Sequence, residues 1–166
     1  MIHDVGNCKM KPLRIGRWAV EVDADATAAA YEKRTQGAPE ECGCLHCRNF
    51  AAAREKLYPK EAIDLFTSLG IHPIREASIS HSHESRPRVH YYLGFMHGVG
   101  RIVEGEDTNA MRELCSEAMT PTFSIGFTTD VQLVPGCFPQ SGLYQVEFVC
   151  EVPWVIDEPY DGQTTN

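Results

Sequence analysis

Cysteine and histidine carry the spacings in this sequence that could do chemistry. Cys44 and Cys47 form a C-x-x-C pair, with Cys42 two residues earlier. A thiolate at a helix N-terminus is stabilised by the helix dipole, and such a pair can cycle between dithiol and disulfide. The same stretch offers Cys42, Cys44, His46 and Cys47 as sulfur and nitrogen donors for zinc. Structural zinc sites usually draw four ligands from two separated knuckles, and this chain has no second C-x-x-C and no H-x-x-x-H. Four donors within six residues would crowd one ion. The competing expectation is that Cys47 is a core residue and Cys44 packs in the loop.

The histidines offer a second set. His81 and His83 stand two apart in a stretch of period two, which predicts a strand with both side chains on one face. That spacing suits a divalent metal such as zinc, with His90 on the next strand as a third ligand. A five-residue turn would set His83 opposite Val89; a change of register by one would set it opposite His90. The plainer alternative is half-buried polar residues bonded to Ser80, Ser82, Glu84 or backbone. His97 falls on the opposite face of its strand from His90. No G-x-S-x-G, P-loop or G-x-G-x-x-G is present, so no nucleophile elbow or phosphate cradle is expected. Glu104, Glu106 and Asp107 read as a solvated turn and helix cap.

The elements that must position these residues follow from periodicity. Leu13–Val22 predicts a strand with Trp18, Val20 and Val22 on one face. Asp25 or Thr27 is expected to cap a short helix through Ala28–Tyr31, ending near Gly37. Cys47, Phe50, Ala53 and Leu57 make the apolar stripe of a helix over about Cys47–Tyr58. Pro59 stops it and opens another, where Ala62, Leu65, Phe66 and Leu69 recur at helical spacing and Gly70 terminates. Residues 77–83 alternate as a strand, 84–88 turn, and Val89–Val103 is apolar on both faces, as expected of a long central strand. A helix bearing Met111, Leu114, Cys115 and Ala118 is predicted after a cap at Asp107 or Thr108. Two alternating strands close the chain, one from Phe123 to Leu133 and one from Tyr144 to Val152.

Clean alternation means one buried and one wet face, which belongs to antiparallel sheets. Strands grouped rather than interleaved with helices argue for α+β. The expected fold is one α+β domain over 1–166, with loose ends at 1–12 and 157–166. It has an antiparallel sheet of about five strands and three or four helices packed mainly on one side.

With 166 residues, 43% hydrophobic and 23% charged, the chain can bury a core without staples. A net charge of −8 argues against nucleic acid as a partner, since its binders carry a basic face. The cluster Lys9, Lys11, Arg14 and Arg17 reads as a solvated strand edge. No stretch approaches a membrane span, and the N-terminal residues carry no apolar signal region. Seven cysteines, an odd number with three of them close together, suggest free thiols in a reducing, cytoplasmic setting.

The segment Cys44-Leu45-His46-Cys47-Arg48-Asn49-Phe50 resembles a family of bacterial proteins of unknown function that carry C-x-x-C-R-N-F. The likeness extends to Leu69-Gly70-Ile71, to the aromatic, Gly-rich stretch Tyr91–Gly100 and to the closing Val152-Pro153-Trp154-Val155. It spans about residues 15–156 and implies a shared fold and a bacterial cytoplasmic setting, with no mechanism. His72 stands where the family pattern has Asp. Separately, Met119–Phe123, with Pro121, looks like the proline-led strand start of thioredoxin-like proteins. Those place a strand immediately before the C-x-x-C; here the nearest predicted strand ends at Val22. The functional expectation is a non-catalytic cytoplasmic binding or assembly module, open to homo-oligomer formation. The alternative is an enzyme dependent on a metal at His81, His83 and His90 or on the thiols Cys44 and Cys47.

Overall fold

The computed structural model describes residues 10–108 and 117–161. Its elements, in chain order, begin with β1 (Lys11–Ile15), β2 (Trp18–Val22), α1 (Ala24–Glu32), α2 (Ala38–Cys42), α3 (Leu45–Leu57) and α4 (Lys60–Leu69). Then come β3 (Ser78–Arg86), β4 (Val89–Glu104), β5 (Glu117–Thr120), β6 (Phe123–Thr128) and β7 (Leu143–Pro153). The fold is α+β, as expected, but among the described residues the antiparallel sheet has seven strands rather than about five. The order is β1-β2-β4-β7-β6-β5, with β3 also paired to β4.

The extra strands come from turns that periodicity does not register. Residues 13–22 are two strands, because Ile15 pairs with Trp18 around Gly16 and Arg17. Gly16 has φ +53, a conformation that suits glycine in a tight hairpin. Lys11 and Pro12 belong to β1, so the N-terminal end is ordered into the sheet from Lys11. Ala118, expected on a helix, lies in β5; Met111, Leu114 and Cys115 lie outside the described residues. β6 ends at Thr128, well before Leu133.

α3 and α4 form where their apolar stripes predict and α1 where a short helix is expected, with shifted caps, while α2 is a short helix that the sequence expectations do not include. Asp23, not Asp25 or Thr27, caps α1 by accepting from Ala26 N–H. Gly37 opens α2 rather than closing α1, and Pro39 sits in the first turn of α2, where proline costs no hydrogen bond. Gly70 closes α4 in the left-handed conformation. No helix among the described residues is long and apolar enough to cross a membrane.

The core lies between the helices and one face of the sheet. Tyr92 and Met96 of β4 are buried with Tyr144, Val146, Phe148, Cys150 and Val152 of β7 and with Phe123, Ile125 and Phe127 of β6. Phe50 of α3 meets Tyr92 at 5.5 Å between ring centroids, and Tyr58 packs edge-on against Phe148 and Phe66. Arg54 is buried with its charge matched by Glu40 and by the fully buried Glu76.

β4 is longer than any one neighbour. β7 runs along one edge, while β3 and β2 lie end to end along the other, pairing to Phe95 and from Gly100 respectively. Between them α1 supplies the missing partners. Tyr31 Oη donates to His97 O and accepts from His97 N. Thr27 Oγ1 accepts from Val99 N, and Asp23 N donates to Val99 O. An unpaired buried backbone group is costly, so this bridging pins α1 against the sheet.

Candidate metal centre

Two sets of donors converge at the start of α3. One is His46, His81 and His90; the other is Cys42, Cys44 and Cys47. Within each set the ligand atoms all lie within 4.8 Å of one another.

The histidine set draws on three elements: His46 from the first turn of α3, His81 from β3 and His90 from β4. His81 and His90 meet because of the hairpin register. His81 pairs with Tyr92, and Glu84 pairs with His90. His83 therefore opposes neither Val89 nor His90. A β-bulge lies between His81 and His83, where two steps of β3 match one step of β4. The extra residue reverses the alternation. His81 thus shares a face with Tyr92 and His90, while His83 turns to the opposite face and stacks on Tyr91 at 5.3 Å. The expectation that His81 and His83 point the same way fails at this bulge. Ser82 occupies the extra position, and its hydroxyl bonds His83 Nδ1.

His46 completes the set, and no strand pattern could have pointed to it. Its ring stacks on His81 with centroids 3.7 Å apart and planes 7° apart. Its backbone carbonyl accepts from Tyr92 Oη at 2.9 Å, tying the first turn of α3 to β4. Asn49, one turn on and fully buried, donates to Pro153 O and accepts from Val155 N. Those two bonds hold α3 to the segment after β7. Residues 154–160 then wall the site. The Trp154 ring lies 5.0 Å from His90 and 5.6 Å from His46, and Tyr160 stands edge-on to His90 at 4.4 Å. Tyr160 is buried and its hydroxyl donates to Glu84, so the end expected to be loose is anchored at Tyr160, while Asp157, Glu158, Pro159 and Asp161 around it are exposed.

His81 Nε2 and His90 Nδ1 are 2.9 Å apart. Two nitrogens at that separation subtend about a right angle at an ion ~2.0–2.1 Å from each. His90 is buried and its Nε2 has no hydrogen-bond partner; His46 Nδ1 is likewise buried and unpartnered. Burial, reinforced by the neighbouring imidazoles of His46 and His90 and more weakly by His83 across the strand, pushes His81 down to about 4. Burial also lowers His90, against an opposing pull from Glu84. Neutral imidazole is the form that ligates metal. The parallel stacking of His46 and His81 sets their lone pairs side by side, so a shared ion requires a tilt of one ring.

The thiol set forms around a reversal of the chain. Cys42 ends α2, Gly43 turns with φ +65, Cys44 is the N-cap of α3 and Cys47 lies in its first turn. Cys42 and Cys44 are exposed, Cys47 is buried, and all three are free thiols. The backbone N–H of Cys47 is the main influence drawing the Cys44 pKa down, whereas burial pushes Cys47 up. The pair is preceded by a helix, not by the strand that a thioredoxin-like site requires.

His97 is buried away from both sets, its Nε2 against Gln132 O and Gln145 Oε1. A groove of about 440 Å³, lined by Lys56, Leu57, Arg86, Val89, Thr122 and Glu151 among others, includes none of the three histidines. No protein-family profile, curated protein or solved structure matches this chain.

Proposed function

We propose that this protein binds a divalent transition-metal ion, zinc being the natural candidate, through His46, His81 and His90. The observation that carries the reading is the convergence of three imidazole nitrogens from three separate elements, two of the rings bearing buried nitrogens with no partner. A cation held at His81 Nε2 and His90 Nδ1 would take the place of the hydrogen bond that joins them, with His46 as the third ligand. Imidazole ligands suit zinc, copper, iron and nickel. Three protein ligands leave a coordination position for water or a substrate atom, so the centre would support Lewis-acid chemistry as well as plain binding. A bacterial cytoplasm is the setting that fits the free thiols.

Nickel titration by calorimetry tests this. Wild-type protein is expected to bind one equivalent at the histidines, and H81A/H90A to lose it. H83A is the control and is expected to bind as wild type does. Equal binding by the double variant, or no wild-type binding tighter than millimolar, removes the histidine site and leaves the binding or assembly module as the better reading.

A further inference from the structure

Beyond the histidine centre, we propose that Cys42, Cys44 and Cys47 form a second, separate metal site, one that takes a thiophilic ion of the zinc class. Three sulfurs drawn from the end of α2 and the first turn of α3 lie within 4.8 Å of one another. Zinc–sulfur bonds of about 2.3 Å arranged tetrahedrally put sulfurs about 3.8 Å apart, so small rotations of the side chains bring the set to bonding distance. The chain is shaped for this convergence. Gly43 adopts φ +65, which L side chains rarely do, yet an added Cβ there would meet nothing within 4 Å. Its role is therefore the reversal that brings Cys42 back beside Cys44, not close packing.

The electrostatics favour thiolates at this position. The first-turn amides of α3, a helix of 13 residues, present the positive end of the dipole to Cys44 and Cys47. Arg48 is close enough to Cys44 for their charges to interact, and part of its charge is shared with Glu158. Three thiolates around a divalent cation leave one net negative charge, which these groups offset. Exposure of Cys42 and Cys44 gives an ion a path from solvent and leaves a fourth position for water or for a donor on another molecule. The tight loop that argues against four ligands within six residues holds three without conflict, because His46 turns away to the imidazole set.

Cadmium(II) and cobalt(II) titrations under reducing, anaerobic conditions test the site, since thiolate ligation produces an ultraviolet charge-transfer band that imidazole ligation does not. The expected result is a band saturating at one equivalent. It should be absent in C42S/C44S, whose changed residues are exposed, and retained in H81A/H90A. In wild-type protein, bound cadmium should protect Cys42 and Cys44 from alkylation, read by mass spectrometry, and leave Cys137 unaffected. The proposal is overturned if no charge-transfer band develops, if C42S/C44S keeps it, or if alkylation of Cys42 and Cys44 is the same with and without cadmium. The histidine site is read by its own variants, so either site can fail alone.

Discussion

The hydroxyl of Tyr31 stands in for a β-strand at His97, donating to its carbonyl and accepting from its amide. With Thr27 and Asp23 at Val99, it fills the stretch of the β4 edge that neither β3 nor β2 reaches. Tyr31→Phe keeps the ring packed on Phe138 but leaves two backbone groups of a central strand without partners. Each buried orphan costs ~1–3 kcal/mol. The expected outcome is a lower denaturant midpoint with metal binding retained. An unchanged midpoint would mean that water reaches this edge.

Cys150 is buried on the inward face of β7, between Phe148 and Val152 and opposite Tyr92 and Phe123. Cys150→Ser places a hydroxyl where no partner is arranged, at ~1–3 kcal/mol. Chemical denaturation is expected to show a lower midpoint with an unchanged slope.

Glu76 ties stability to pH. Arg54 Nε lies 3.1 Å from its carboxylate and Tyr58 Oη donates to it, with Glu40 nearby. Burial nevertheless outweighs Arg54 and pushes the carboxyl up to about 6 from 4.5. A carboxyl raised on folding binds its proton more tightly in the native state. Its contribution to stability is therefore complete below about 4.5 and is lost as pH rises through about 6. The size is about 2 kcal/mol, at ~1.4 kcal/mol per pH unit. Subtracting the stability curve of Glu76→Gln from that of wild type isolates the effect. The difference is expected to fall between those two pH values; a difference that instead rises with pH below about 4.5 would show that Arg54 holds the carboxylate ionised.

His46→Ala and His83→Ala are expected to part company. His46 lies against His81 and His90, and the bulge at Ser82 turns His83 to the other face. Nickel affinity should drop in His46→Ala and remain at the wild-type level in His83→Ala, by calorimetry. The reverse order would mean that β3 pairs without its bulge.

Gly100 lies where β4 passes from its α1 partners to β2. Its φ is +147, and a Cβ there would fall 2.1 Å from Glu21 O. Backbone cannot move aside cheaply, so Gly100→Ala is expected to destabilise by more than the ~1–3 kcal/mol typical of overpacking, read as a shift of the thermal midpoint.

What the sequence determined by itself was the local architecture. The stripes of α3 and α4, the stop at Gly70 and the buried faces of β2 and β7 all follow from side-chain periods of 3.6 and 2.0, which depend only on neighbours in the chain. The C-x-x-C at a helix start was legible for the same reason, as was the placing of His81 and His90 on adjoining strands. Tertiary structure decided the rest. A single extra residue at Ser82 sends His83 to the wrong face for the site, and nothing in an alternating H-S-H marks where a ladder will slip. His46 joins His81 and His90 only because Asn49 and Tyr92 dock α3 against the strand ends. Those contacts span 46 and 104 positions of sequence. Periodicity assigns a residue to a face, but which faces meet is set by the packing of the whole core.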